Sequence, residues 1–230
     1  MQTDFQSLLI SQDGGVLTIT MNRPEVLNAV NDTLLHELGN VLEAAAQDET
    51  VRCVVITGAG RAFGAGQDLR SFAVIHASGE QVKVSEHLGN YHRIVRAIRT
   101  MPKPVIAAVQ GVAAGASCNL ALACDLRIAA DNARFIEAFA RIGLVPDAGG
   151  GFFLPRLVGM GKALELSMLA DEVSGPEAER IGLVNFVVDD DQLLDKALET
   201  ATRLAKSNME AVIASKVPIN SWLRAQAAQI

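Results

Sequence analysis

At 230 residues, 50% of them hydrophobic and 20% charged, the chain is long enough to bury one substantial core, which favours a single domain. The formal net charge of −6 comes without a run of Lys or Arg, which excludes the basic surface that nucleic-acid binding needs, so no nucleic-acid partner is expected. The three cysteines form no CxxC pair, the first residues lack the positive charge of a secretion signal, and no apolar run reaches membrane-spanning length, so we expect a cytoplasmic protein without a membrane partner.

The first 57 residues predict a strand, a helix and a second strand. Residues 15–21 alternate and contain β-branched side chains, which is typical of a strand. Leucine and valine recur at helical spacing over residues 33–46, with Asn31 or Asp32 available as the N-cap. The apolar run at residues 51–57 then predicts a buried strand.

The middle of the chain continues this alternation. A helical pattern covers about residues 80–99, and the Lys-Pro pair that follows it precedes an apolar strand at residues 105–109. A further strand is expected at residues 126–130. Because these strands are apolar almost throughout, they suit a sheet that helices cover on both faces.

The last third of the chain is predicted to be mostly helical. Helices are expected at residues 162–169, at residues 176–181 behind Ser174 as the cap, and at residues 192–205. A short strand at residues 183–188 would separate the last two.

Three common site motifs are not met. Gly58 and Gly60 follow a strand, but Phe63 stands where a dinucleotide-binding loop needs its third glycine. Ser117 lies in a sequence similar to a hydrolase nucleophile turn, but Asn119 replaces the final glycine, so Ser117 reads as a small residue in a tight turn. The four histidines lack zinc-ligand spacing, and no metal site is expected.

Two glycine-bearing turns, at residues 61–69 and 111–120, are candidates for binding an oxyanion. Each follows a strand and can present a backbone N–H, and the second lies at a helix N-terminus, where the helix dipole favours negative charge. The alternative is that both are ordinary strand-to-helix turns, with Asp68 as an N-cap. The pattern alone leaves both interpretations open.

Asp147 is the candidate for proton transfer. It lies in the segment LVPDAGG at residues 144–150, with Phe139, Phe152 and Phe153 close in sequence. Aspartate between proline and glycine is usually a turn former. Burial beside aromatic rings would instead suit its carboxyl group to moving protons near neutral pH. Spacing does not decide between the two.

Several segments in fixed order resemble the enoyl-CoA hydratase/isomerase (crotonase) family from near the start to about Val188. The resemblance implies an α/β fold, a spiral of ββα units over residues 1–190. A helical C-terminal region over residues 191–230, shorter than is usual in the family, would follow, and the chain would assemble as a homotrimer or a dimer of trimers. The segments are NRP at 22–24, LNA at 27–29, RAFGAGQDL at 61–69, KPVIAAVQG at 103–111, AGA at 114–116, LACDLRI at 122–128 and GLV at 182–184.

The same resemblance implies the substrate and the residues around it. The substrate is an acyl-CoA thioester, so coenzyme A enters as part of the substrate and no separate cofactor is expected. The oxyanion hole falls on the backbone N–H groups of Gln67 and Ala116, aimed at the thioester oxygen. Other substrate-binding positions are expected at Ala65, Asp68, Leu69, Asn119 and Phe139.

The reaction implied by the resemblance is isomerisation. Hydratases of the family use two glutamates, and these positions match Asn119 and Phe139. Asp147 instead stands where the ring-1,2-epoxyphenylacetyl-CoA isomerases carry their aspartate. This predicts an isomerase of phenylacetate catabolism, or one that converts 3-enoyl-CoA to 2-enoyl-CoA in fatty acid metabolism.

Three alternatives remain. Aryl-CoA dehalogenases of the same family place a nucleophilic aspartate at the position of Asp147 and a general-base histidine at the position of His92, and this chain has both residues. An enoyl-CoA hydratase and a non-catalytic acyl-CoA-binding protein are the other two.

Overall fold

The computed structural model describes residues 4–70 and 84–227 of the chain. The strands in this part are β1 (Leu8–Asp13), β2 (Val16–Met21), β3 (Cys53–Gly58), β4 (Ala62–Gly64), β5 (Val105–Val109), β6 (Val112–Ala114), β7 (Leu126–Ala130), β8 (Arg134–Ile136), β9 (Val173–Ser174) and β10 (Phe186–Val188). The α-helices are α1 (Asp32–Gln47), α2 (Val84–Thr100), α3 (Gly115–Ala123), α4 (Gly150–Val158), α5 (Met160–Leu169), α6 (Gly175–Arg180), α7 (Leu193–Ala205) and α8 (Met209–Ala227).

The strands form two sheets that the chain visits in turn. The larger sheet has the order β1-β2-β3-β5-β7-β10, and the smaller has the order β4-β6-β8-β9. The pairs β3/β4, β5/β6 and β7/β8 each give one strand to each sheet, and like members of successive pairs lie parallel. With α2 and α3 after the first two pairs, this is the expected α/β spiral of ββα units.

The predicted elements up to residue 130 agree closely with this architecture. The strands expected at residues 105–109 and 126–130 are β5 and β7, and the helix expected at 33–46 is α1. Asn31 is the cap of α1, since its side chain accepts a hydrogen bond from the Leu34 N–H at 2.9 Å. The helix expected from about residue 80 to 99 is α2. Its expected start at residue 80 lies outside the described residues, and the helix is described from Val84 onward.

The later elements also match, with some additions. The helices expected at 162–169, 176–181 and 192–205 are α5, α6 and α7, and the short strand is β10. Ser174 caps α6 by accepting a hydrogen bond from the Glu177 N–H at 3.4 Å. The strands β1, β4, β6, β8 and β9 and the helix α4 were not predicted, while α8 lies in the C-terminal region that the resemblance implies to be helical.

The hydrophobic core lies on both faces of the larger sheet. One face packs against α1 and α2, which bury residues such as Leu34, Leu38, Ile94 and Ile98. The opposite face is covered by α7 through Leu193, Ala197, Ala201 and Ala205. The apolar character of β3 and β5 therefore reflects burial from both sides. Among the described helices, none is long and apolar enough to cross a membrane.

The smaller sheet positions the candidate site. Because β4, β6 and β8 are parallel neighbours, their C-terminal ends lie side by side at one edge. The chain leaves that edge three times, at residue 65, residue 115 and residue 137. The carboxyl edge of parallel strands is where ligands bind in other α/β folds, and every predicted site residue except His92 follows one of these exits.

Candidate active site

The first exit, residues 65–68, is the β4 loop, and backbone hydrogen bonds fix it. Val30 donates its N–H to the Gly66 carbonyl at 2.7 Å and accepts the Asp68 N–H at 2.9 Å. Because these flanking groups face Val30, the N–H of Gln67 faces away from Val30. The backbone of residue 30 thus sets the direction of the first expected oxyanion donor.

Asp68 anchors the end of the β4 loop. Its carboxylate lies 3.0 Å from the Arg23 guanidinium, and it also accepts the Arg70 N–H at 3.3 Å, as the N-cap interpretation of this turn expects. Burial alone would raise the pKa of Asp68, but the hydrogen bonds from Arg23 and Arg70 outweigh it and lower the pKa. Asp68 is therefore ionised at neutral pH, and its place in the site is that of an anchor for the loop.

The second exit is the start of α3, which lies in contact with the β4 loop. Ala116 is the second residue of the helix, so its N–H has no acceptor within the helix. The Gly66 N–H donates to Ser117 Oγ at 3.1 Å in a buried contact. An ideal β-carbon at Gly66 would lie 2.9 Å from the Ala114 oxygen and 3.7 Å from Ala116 N. The backbones of Gln67 and Ala116 are consequently close neighbours.

Asn119 and Phe139 occupy the positions that match the hydratase glutamates. Asn119 is fully buried on α3, and its Nδ2 donates to the Asp147 carbonyl at 2.9 Å. Phe139 is also buried, and its ring lies 3.9 Å from an ideal β-carbon at Gly115. An amide and a phenyl ring neither take up nor release protons near neutral pH, so these positions supply packing and a hydrogen bond.

The third exit ends in residues 143–149, the aspartate loop, which carries Asp147 into α4. The Asp147 side chain is half-buried. Ala148 and Gly149 both have left-handed backbone angles, with φ of 46° and 85°, and the Gly150 N–H bonds back to the Asp147 carbonyl at 2.8 Å. Asp147 is therefore both a turn former, as its sequence context predicts, and a carboxylate at the edge where the loops meet.

Tyr91 is a site residue that the sequence interpretation missed. It is buried on α2, and its hydroxyl donates to Gln67 Oε1 at 2.8 Å. Burial raises its pKa well above the ordinary value, and the charge of Asp147 raises it further. Tyr91 thus lies between the β4 loop and the aspartate loop. Its spacing from Ile94 and Ile98, on the apolar face of α2, was the available signal.

His92, the alternative general base, lies elsewhere on α2. Its side chain is exposed, whereas the preceding residue, Tyr91, faces the site. Adjacent residues on a helix point about 100° apart, so His92 and Tyr91 face different directions. Val95, one turn after His92 on the same face of α2, lies 3.6 Å from an ideal β-carbon at Gly149 in the aspartate loop, and the alternative pairing of His92 with Asp147 stays a prediction.

The remaining expected residues lie on or beside the β4 loop. Ala65 is half-buried and donates its N–H to the Leu27 carbonyl at 2.9 Å, while the Leu69 side chain is 51% exposed. A second carboxyl group was not predicted: Glu137, the first residue after β8, is 3% exposed. No group of three His, Cys, Asp or Glu within residues 4–70 and 84–227 is placed to hold a metal ion.

Together these elements combine two backbone donors with a carboxylate. The expected donors are the N–H groups of Gln67 in the β4 loop and of Ala116 in the first turn of α3, and donors held in fixed positions stabilise an oxyanion as it forms. Asp147 supplies a group that takes up and releases protons. The arrangement is suited to moving a proton beside a carbonyl group.

Comparison with known proteins gives the family. A family model described as "Enoyl-CoA hydratase/isomerase" matches residues 11–229. The 1,2-epoxyphenylacetyl-CoA isomerase of Escherichia coli (strain K12) is 41% identical over 93% of this chain and 82% of that protein. A probable enoyl-CoA hydratase of Rhodobacter capsulatus is 43% identical over 91% of this chain and 79% of that protein. A crystal structure of a putative enoyl-CoA hydratase from Streptomyces coelicolor A3(2) superposes with a TM-score of 0.91 at 36% identity, covering 97% of this chain and 82% of that one. The chain belongs to the enoyl-CoA hydratase/isomerase family.

Proposed function

We propose that the protein is an acyl-CoA isomerase that acts through a thioester enolate, with Asp147 as its base. Ring-1,2-epoxyphenylacetyl-CoA is the first candidate substrate and 3-enoyl-CoA the second. The observation that carries the proposal is the set of side chains at the site. Asp147 is the carboxylate on the loop, while a buried amide, Asn119, and a buried ring, Phe139, stand where hydratases have glutamates.

Removal of a proton from C2 of an acyl-CoA places negative charge on the thioester oxygen. The N–H groups of Gln67 and Ala116 would receive that oxygen, because both belong to backbone segments packed against each other. Loss of one such donor typically costs about 3 to 4 kcal/mol of transition-state stabilisation. The substrate carbonyl therefore binds with its oxygen between the two loops.

A single carboxyl group is sufficient for moving the double bond. Asp147 takes the proton from C2 of the 3-enoyl chain and returns it at C4, while the oxyanion hole holds the dienolate. Hydration needs a second group to activate water, and Asn119 and Phe139 do not supply it. In the epoxide reaction, Asp147 gives general acid-base assistance to ring expansion.

The similarity to the Escherichia coli protein named 1,2-epoxyphenylacetyl-CoA isomerase supports this assignment. A relative named as a probable hydratase is equally similar, so the substrate test compares both reactions. The dehalogenase alternative, with His92 as its general base, is tested in the same panel. Assembly as a homotrimer or a dimer of trimers and a cytoplasmic location remain predictions, the first tested by sedimentation velocity.

The test is a panel of three thioesters. The purified protein is mixed separately with 3-enoyl-CoA, crotonyl-CoA and 4-halobenzoyl-CoA, and the absorbance change of each reaction is followed. We expect isomerisation of the first, with little water addition to the second and no halide release from the third. In Asp147→Asn, which keeps the shape and removes the proton acceptor, isomerisation falls at least about a hundredfold while acyl-CoA still binds.

His92→Gln is the matched control, and it should isomerise within several-fold of the parent because the side chain is exposed. Hydration of crotonyl-CoA at about 10 to 1,000 per second would contradict the isomerase assignment. So would halide release that depends on His92, with a covalent aryl adduct on Asp147.

A further inference from the structure

Arg99, in the last turn of α2, is a cation that the proposed reaction does not use. Its guanidinium donates to the carbonyl of Ala123, the last residue of α3, at 3.2 Å. It also donates to the side chain of Asn220 on α8, and it lies 5.2 Å from the centre of the Phe153 ring on α4. This one side chain of α2 therefore contacts three other helices.

Asp125 and α8 hold the guanidinium in place. Asp125, directly before β7, lies 3.5 Å from the guanidinium, and the Arg99 side chain is 18% exposed. Asn220 returns a second hydrogen bond, from its Nδ2 to the Arg99 carbonyl at 2.8 Å. The Asp125 carboxylate also accepts a hydrogen bond from Lys216 Nζ on α8 at 2.7 Å. The helix α8 thus reaches Arg99 both directly and through a shared carboxylate.

The contact between Arg99 and Phe153 is an attractive one. A guanidinium within about 6 Å of a ring centre is attracted to the ring, more strongly when water is excluded, and Phe153 is buried. Arg99 Nε is buried and has no hydrogen-bond partner among the described residues, so hydrogen bonds alone do not explain where the guanidinium lies. The ring and the guanidinium therefore help to hold each other.

Phe153 in turn fixes the end of the aspartate loop. An ideal β-carbon at Gly149 would lie 2.6 Å and 2.9 Å from two carbons of the ring, so the ring edge packs directly on the backbone there. The N–H groups of Phe152 and Phe153 both donate to the Gly149 carbonyl at 2.9 Å. Asp147 is only two residues earlier in the loop. A shift of the Phe153 ring would therefore carry Gly149 with it and move Asp147.

We propose that Arg99 is a positioning residue for the reaction, which holds the Phe153 ring against the aspartate loop and so fixes the place of the Asp147 carboxylate. This rests on the proposed function in taking Asp147 as the base. Arg99 does not touch the substrate, and its effect on the reaction passes through Phe153. Since Asn220 helps to place the guanidinium, docking of α8 is part of the support of the aspartate loop.

The kinetic test is Arg99→Met, which removes the charge and keeps a long side chain. Because a shift of about 1 Å at a reacting group can slow a reaction about a hundredfold, a smaller shift of the loop should lower kcat for 3-enoyl-CoA about tenfold, with KM unchanged. Lys103→Met is the matched control, since Lys103 is a buried cation that donates to the Ala45 and Asp48 carbonyls at the end of α1. Both variants should lose stability in thermal unfolding, but only Arg99→Met should lose kcat.

A double-mutant cycle tests the route through Phe153. Phe153→Leu removes the ring and should lower kcat by itself, and adding Arg99→Met to it should lower kcat no further. Losses of kcat that multiply in the double variant would overturn the proposal. So would a parental kcat in Arg99→Met, or an equal loss of kcat in Lys103→Met.

Hydrogen exchange in the protein without acyl-CoA separates this proposal from the proposed function. The N–H groups of Gly150, Phe152 and Phe153 are bonded to carbonyls of the aspartate loop, so their exchange reports how firmly the loop is attached. They should exchange several-fold faster in Arg99→Met and at nearly the parental rate in Lys103→Met. A parent without isomerase activity would leave this readout intact, whereas unchanged exchange in Arg99→Met would overturn the positioning role and leave Asp147 as the base.

Discussion

The β4 loop and the aspartate loop meet at one site but are held in different ways. Backbone hydrogen bonds to Val30 fix the β4 loop on both sides of Gln67, and the Arg23 guanidinium holds its end through Asp68. The aspartate loop is far more exposed, with Val145 at 78%. Its described hydrogen bonds are its own turn, backbone bonds to the segments directly before and after it, such as the Leu144 N–H to the Phe139 carbonyl at 3.0 Å, and one side-chain bond from Asn119.

The difference shows how two tasks, holding the oxyanion and transferring the proton, are divided between the two loops. An oxyanion hole works only when its donors keep a fixed position, and the backbone network of the β4 loop provides that. A base needs an adjustable charge state, which the aspartate loop gains from the side chains around Asp147. Substitutions in the β4 loop should therefore act through position, and substitutions around Asp147 through charge.

The largest effect is expected from Gly66→Ala. Gly66 has φ of +87°, and the added β-carbon would lie 2.9 Å from the Ala114 oxygen, so the β4 loop must shift. A displacement of about 1 Å at a reacting site can lower the reaction rate about a hundredfold, and we expect kcat to fall by that factor. Gly14→Ala, in the turn between β1 and β2, is the matched control, since φ is +51° but nothing lies within 4 Å. Equal losses of kcat in both variants would mean that strain, and not loop position, is measured.

The next effect is a change of stability with pH. Glu137 has a pKa of about 7 in the folded protein, against 4.5 for an ordinary glutamate, so the folded state binds more protons between these values. The contribution of Glu137 to the free energy of unfolding is therefore fully present below pH 4.5 and is lost as pH rises to about 7. The loss amounts to about 3 kcal/mol. Relative to the parent, Glu137→Gln should gain stability over this range in urea unfolding, and a constant difference would contradict the burial of an ionisable carboxyl.

Ser117→Ala should have a smaller effect on the β4 loop. It removes the oxygen that accepts the buried Gly66 N–H at 3.1 Å. An unsatisfied buried donor costs about 1–3 kcal/mol, which thermal unfolding will measure, and kcat should fall less than in Gly66→Ala. Ser215→Ala, which removes an exposed hydroxyl bonded within α8, is the control. Unchanged stability in Ser117→Ala would show that this contact does not hold the loop.

Tyr91→Phe is expected to have the smallest effect. It removes the hydroxyl that donates to Gln67 Oε1, worth about 0.5–1.5 kcal/mol, but leaves the backbone N–H of Gln67 in place. We expect kcat within several-fold of the parent and a modest loss of stability. A hundredfold loss of kcat would show instead that Tyr91 takes part in the chemistry, and the division between the two loops would then be wrong.

The sequence predicted long elements better than short ones. The strands at residues 105–109 and 126–130 were predicted to the residue because the first is a continuous apolar run after a Lys-Pro pair and the second is apolar except at Arg127. By contrast, β4, β6 and β8 have three residues each, too few for a period to appear. Their partners are distant in the chain, so the sheet that positions the site depends on long-range contacts that local patterns do not contain.

The site was predicted in part, and the resemblance supplied most of it. Asp147 and the two glycine-bearing turns were identified from residue types, but only the resemblance gave Gln67 and Ala116 their roles. Glu137 and Tyr91 were missed. A polar residue after a short strand gives no local sign of inward burial, and the hydroxyl of Tyr91 gains its significance from Gln67, which is distant in the sequence.

The most direct test of Asp147 as the base is exchange of the C2 protons of an acyl-CoA in heavy water, followed by proton NMR. A saturated acyl-CoA has no double bond to move, so exchange reports proton abstraction beside the thioester alone. We predict that the parent exchanges these protons, and that Asp147→Asn binds the same thioester but exchanges them at least about a hundredfold more slowly. Exchange at the parental rate in Asp147→Asn would contradict the account.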